Sequence, residues 1–144
     1  MRILGFSKKW PKLQKDVFTT FRFPRKLHDP DVGDVVQIVY KPRSKGREIL
    51  GLAEITHKEL RWVMNATDEA VKHYGDYFAV GVVTEQEAIL DGFQDREDMI
   101  KWIRNTYRSR QAVEPMNKFT LRWTQRWLYL KGIAQDNNSY IGGE

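Results

Sequence analysis

The sequence predicts an α+β protein that is mainly β: a small, partly closed barrel with short helices at its side. Two observations carry this expectation. Two stretches far apart in the chain, residues 17–23 (VFTTFRF) and 117–123 (NKFTLRW), alternate with the period of a half-buried strand. Between them lie a hairpin pattern, DVVQIVY followed by REILGLAEIT, and an acidic stretch with helix-capping signals. Strands that predominate, with the helices concentrated between them, favour a barrel with helices packed beside it.

In chain order, residues 2–7 (RILGFS) read as a first strand, and Pro11 opens a short helical turn that brings Trp10 and Leu13 inward. In the second strand Val17, Thr19, Phe21 and Phe23 share one face, and Phe18, Thr20 and Arg22 share the other. The loop PRKLHDPDVGD is punctuated by two prolines and closed by Gly33. Residues 34–40 are β-branched and apolar on both faces, and the basic turn KPRSKGR leads to the returning strand 47–56. That strand can continue, bent, through LRWVM. Gly51 inside it marks a bend, a bulge or a close backbone approach. Thr67 caps a helix that Gly75 stops, and residues 77–83 (YFAVGVV) form a short strand. Thr84 and Glu87 make a capping box, with Gly92 ending that helix. Asp95 caps a further helix whose stripe of Met99, Ile100, Trp102, Ile103 and Tyr107 is core packing. Residues 1–131 are expected to form one domain, and residues 132–144 a flexible tail.

Composition narrows the function classes. Hydrophobic residues make up 41% of the 144, with five Trp, six Tyr and seven Phe, too aromatic for a disordered chain. No apolar run approaches the ~18–20 residues of a membrane helix, and the N-terminus is no signal peptide. Without cysteine there is neither disulfide nor thiolate zinc site, so the expected compartment is the cytoplasm. His28, His57 and His73 are isolated, so no metal is expected. Phosphate-cradling glycine loops and GxSxG are absent, so no cofactor is expected either. Charge is segregated. Residues 1–47 hold twelve Lys/Arg against four Asp/Glu, residues 48–100 four against twelve, and residues 101–131 eight against one. Two basic ends that meet would present a phosphate-attracting surface.

Thr20 and Arg22 are the sharpest local feature. On one strand face they sit two residues apart, where a guanidinium clamps a phosphate or base edge and a hydroxyl both donates and accepts. Arg25 and Lys26 follow at the strand's mouth. Lys118, Thr120 and Arg122 repeat the design on the last strand, where an ordinary solvent-facing strand explains them better. Trp123, Trp127 and Tyr129 among Arg122, Arg126 and Lys131 suit base stacking, and suit a barrel core equally.

The order of these features resembles the ASCH domain family of the PUA-like barrels. The resemblance covers roughly residues 3–123. It rests on T-x-R (Thr20, Arg22), G-D (Gly33, Asp34), A-x-x-D-G-F (Ala88 to Phe93) and a helix with M-x-x-W (Met99, Trp102). It implies a PUA-like barrel with a central cleft, and RNA binding or RNA-related chemistry. Some members are amidohydrolases that remove the acetyl group of N4-acetylcytidine with a Lys, a Thr and a Glu. The threonine maps to Thr20 and the carboxylate to Asp91, but the lysine position, three before the threonine, is Val17. A threonine alone is a poor nucleophile, so the resemblance leans away from an enzyme. Lys26 or Lys118 would have to supply the cation from elsewhere.

The leading expectation is therefore an RNA- or modified-nucleotide-binding module. Thr20, Arg22 and Asp91 would read a base, while Arg25, Lys26 and the hairpin-loop cations Lys41, Arg43 and Lys45 hold phosphates. DNA stays open as a partner, since nothing in the sequence reports on the 2′-hydroxyl. The alternatives are a nucleoside hydrolase or ribonuclease built on Thr20 and Asp91, and a protein-interaction domain whose basic ends engage an acidic partner.

Overall fold

The computed structural model describes residues 2–63, 68–75, 80–107 and 114–127. It is a mixed α/β protein in which strand dominates. Five strands form one sheet, β1 (Ile3–Phe6), β2 (Val17–Arg22), β3 (Val35–Tyr40), β4 (Glu48–Arg61) and β5 (Met116–Arg126), in the order β1-β3-β4-β5-β2. Among the described residues three α-helices, α1 (Asp68–Tyr74), α2 (Glu85–Leu90) and α3 (Arg96–Thr106), lie between β4 and β5 in the chain. At the level of class this is the mainly-β expectation.

By its contacts the described chain divides into two compact units. One comprises the described parts of Met1–Phe18, Pro30–His57 and Thr120–Glu144; the other comprises those of Thr19–Asp29 and Lys58–Phe119. Strands β2, β4 and β5 each begin in one unit and end in the other.

In the first unit β1 runs parallel to β3, pairing Ile3 with Gln37 and Phe6 with Tyr40. Pro11 opens a 3-10 helix (Pro11–Gln14), and Trp10 and Leu13 are buried as expected. Leu4, Ile38, Leu50, Ile55 and Leu121 complete an interior from which water is excluded. The ring of Phe18 meets Phe6 edge-on at 6.4 Å and Trp123 at 5.2 Å. Trp123 donates its indole N–H to the carbonyl of Leu13 at 3.1 Å, and Arg126 lies over its ring at 5.8 Å. Trp123 is thus committed to packing rather than to a stacking platform, while Tyr129 and Lys131 lie outside the described residues. Strands β3 and β4 are antiparallel. Their register slips between Ile38 and Val39, whose partners are Gly51 and Ile49, so Leu50 is the extra residue of a bulge.

The second unit buries Phe21, Trp62, Met99, Ile103, Met116 and Phe119. Trp62 donates its indole N–H to the carbonyl of Gly75 at 3.1 Å. The Thr84/Glu87 capping box opens α2 with both reciprocal bonds present, and Asp95 caps α3 by accepting from the Asp98 amide. Gly92, at φ +114°, turns the chain out of α2 in the left-handed conformation glycine tolerates. One expectation is modified. The strand expected over residues 77–83 reduces, among described residues, to one parallel bridge between Val82 and Trp62, residues 77–79 lying outside them. The cap at Thr67 and the tail 132–144 also lie outside the described residues.

Candidate functional site

The second unit holds a polar cluster at the end of β2. Alternation puts Thr20 and Arg22 on one face, and the Arg22 Nε donates to Thr20 Oγ1 at 3.1 Å. Thr20 is buried, with 4% of its surface exposed, although it is polar. Its neighbour Thr19 donates from Oγ1 to Asp91 Oδ1 at 2.8 Å. Asp91 ends α2: its amide donates back to the Glu87 carbonyl at 3.0 Å, which aims its buried carboxylate at β2.

Burial holds the Arg22 guanidinium below its ordinary value, Tyr107 and Asp91 pull it back up, and Arg25 pushes it down again. Arg22 therefore sits in the field of a carboxylate, a phenol and a second cation. Tyr107 follows α3, and its ring meets Phe23 edge-on at 5.1 Å. Arg25 and Lys26 are exposed on the loop after β2, where the Arg25 amide donates to Asp29 Oδ1 at 3.0 Å.

Two carboxylates organise the rest of this unit. Glu87 Oε2 accepts from the Lys118 ammonium at 2.7 Å and from Arg61 Nε at 3.2 Å, while its Oε1 accepts from the Thr84 amide at 3.0 Å. Burial raises its carboxyl, but Lys118, the Thr84 amide and Arg61 outweigh it and hold it below the ordinary value. Asp29 Oδ2 accepts from Lys58 at 2.9 Å and from the Asn117 amide at 2.9 Å. There too burial pushes the carboxyl up, and the Arg25 amide, Lys58 and Asn117 hold it below the ordinary value.

Of the residues singled out in the sequence, Thr20, Arg22, Arg25, Lys26, Asp91 and Lys118 fall in this unit, and Lys41, Arg43, Lys45 and Arg122 fall in the other. Within the cluster the hydroxyl that bonds Asp91 is that of Thr19, whereas Thr20 serves Arg22. Lys118 is no spare cation, because its ammonium is held by Glu87. Arg122 bonds Glu54 at 2.9 Å with its side chain 58% exposed, an ordinary surface pair worth less than about 1 kcal/mol. Val17, at the position of the amidohydrolase lysine, is exposed. Sequence reasoning missed Thr19, Tyr107 and the pairing of Arg61 and Lys118 on Glu87. Only Glu87 carried a signal, and that signal was its capping role.

Compared with family models, with curated proteins and with solved structures, the chain matches none. Among the described residues no cluster of three or more His, Cys, Asp or Glu is placed to hold a metal ion, and no helix is long and apolar enough to cross a membrane.

Proposed function

We propose that the chain is a PUA-like domain of the ASCH kind that binds RNA or a modified nucleotide through the Arg22 cluster. The observation that carries this reading is a guanidinium drawn into partly buried surroundings, oriented by the Thr20 hydroxyl and set beside Asp91. A desolvated, oriented cation gains more from an anionic or hydrogen-bonding ligand than a solvated one. Asp91 supplies an acceptor for an amino group of a base, and Arg25 and Lys26 stand exposed nearby in the chain to meet phosphate. The test is fluorescence anisotropy with short single-stranded and hairpin RNAs for wild type and Arg22→Ala. Affinity is expected to fall tenfold or more, on the order of the 1.5–3 kcal/mol of a charge-assisted hydrogen bond, while circular dichroism stays unchanged. Wild-type affinity in the variant would overturn the reading.

One observation favours a second reading, a hydrolase. Thr19 Oγ1 and Asp91 Oδ1 are 2.8 Å apart, the reach of a hydroxyl nucleophile and its general base. In this reading the nucleophile is one residue before the threonine that the family pattern indicates. Release of acetate from N4-acetylcytidine by wild type, abolished in Thr19→Val and retained in Thr20→Val, would establish it. No turnover by wild type would remove it.

A further inference from the structure

We infer that the first unit carries a separate, sequence-independent platform for the phosphodiester backbone of a single-stranded polynucleotide, built where β1 and β3 end. It deepens the RNA reading, on which it rests for the identity of the polyanion. Its residues are neither those of the Arg22 cluster nor in the same unit.

Because β1 and β3 are parallel, their carboxyl ends lie at one end of the sheet, Phe6 opposite Tyr40. The segments that leave them, residues 7–12 and 41–47, are therefore neighbours. The Lys41 amide donates to the Phe6 carbonyl at 2.9 Å, and a Cβ on Gly5 would lie 2.6 Å from Pro42 Cγ. The loop is itself shaped. Lys41 takes a left-handed φ of +47°, Ser44 donates back to the Lys41 carbonyl, and Arg47 donates back to that of Ser44.

On this base two aromatic rings gather four ammonium groups. Lys8 lies 4.2 Å and Lys12 5.5 Å from the ring centre of Trp10; Lys9 lies 5.0 Å and Lys41 5.3 Å from that of Tyr40. Cations sharing one ring lie within about one Debye length, roughly 8–10 Å, so their fields add. Arg43, Lys45 and Arg47 add three exposed charges on the loop. Among the described residues Lys9 pairs with Glu48 at 2.8 Å.

Charge across the chain agrees. Among the described residues the first unit holds eleven Lys/Arg and five Asp/Glu, and the second ten and eleven. The positive excess of the described residues therefore falls in the first unit, and the field that steers an anion is strongest there. The cations are spread over two segments rather than converging on one point, which fits a row of phosphates better than one. Trp10 is buried, with Lys8 over its ring, so it offers no face for a base. Binding is electrostatic and indifferent to sequence. Lys12 is itself buried and contributes to the field rather than to contact.

The test is the salt dependence of binding to a labelled oligouridine across a KCl series. Compared with wild type are Lys8→Gln/Lys41→Gln, Arg43→Gln/Lys45→Gln/Arg47→Gln, and a control, Lys72→Gln/Lys101→Gln, that neutralises exposed lysines of the second unit. Each lost phosphate contact lowers the slope of log K against log salt by about 0.7 on a single strand. The double variant is expected to lose roughly 1.4 and the triple roughly 2 of that slope, each with at least tenfold weaker binding at low salt. The control should match wild type. Slopes unchanged in both platform variants, an equal loss in the control, or no salt-dependent binding by wild type would each overturn the platform. The Arg22 reading is judged apart from it, by titrating a nucleoside monophosphate into wild type and Arg22→Ala, where a single phosphate makes no demand on a row of cations.

Discussion

Thr19 and Thr20 are adjacent and chemically identical, yet they serve different partners: Asp91 for one, Arg22 for the other. Alternation correctly separated their faces. It could not show that the carboxylate at the end of α2 is delivered to Thr19, because that depends on how a helix packs, not on strand period. Asp29 is a second case. Nothing in PRKLHDPD marks it, but Lys58 and Asn117 come from β4 and β5 to hold its carboxylate. Its carboxyl is depressed in the folded state, so between the folded and unfolded values the unfolded chain binds more protons and stability rises with pH. That contribution is complete above the ordinary carboxylate range and is lost as pH falls through the lower, folded value. Urea denaturation of Asp29→Asn at a series of acidic pH values should show a shallower acid decline than wild type. Equal slopes would mean that Asp29 is not the group titrating.

Among the elements, β4 shows best how local sequence becomes shape. Its fourteen residues exceed the usual strand, and Gly51 with the bulge at Leu50 lets it bend instead of running flat. A close backbone approach was legible from a glycine among β-branched and apolar residues, and the structure supplies the reason. A Cβ there would collide with the carbonyl of Gln125 and come within 2.8 Å of the Trp123 ring. Gly51→Ala should therefore cost about 1–3 kcal/mol, as overpacking does, read as a lower urea midpoint at constant m. A variant as stable as wild type would show that β5 yields. The helix caps at Thr84 and Asp95 were equally legible, since capping is decided within four residues. Of the strand expected over residues 77–83, the described residues 80–83 keep one bridge, Val82 to Trp62, because a short apolar run does not by itself say whether a partner strand is available.

For the whole molecule, charge read in contiguous blocks and charge sorted by the fold differ. The sequence shows two basic ends around an acidic middle. The fold interleaves them, giving residues 19–29 and 58–119 to one unit, where Lys118 and Arg61 meet Glu87 and Lys58 meets Asp29. Over the described residues that unit is close to neutral, and the positive excess falls in the other. Segment boundaries set by tertiary contacts have no signature in composition, so this partition was not readable beforehand. The turns that shape residues 41–47 also bear on how the chain meets a protease. A run of Lys and Arg on an exposed loop is ordinarily where trypsin cuts first, but trypsin needs the strand drawn out straight through its cleft. Here Lys41 precedes a proline, and Ser44 closes one turn on Lys41 while Arg47 closes the next on Ser44. Brief digestion of the native protein should leave the bonds after Arg43, Lys45 and Arg47 intact while other exposed sites are cut, and Ser44→Gly/Pro42→Gly should make this loop the first to go. Early cleavage there in wild type would show that the loop opens readily on its own.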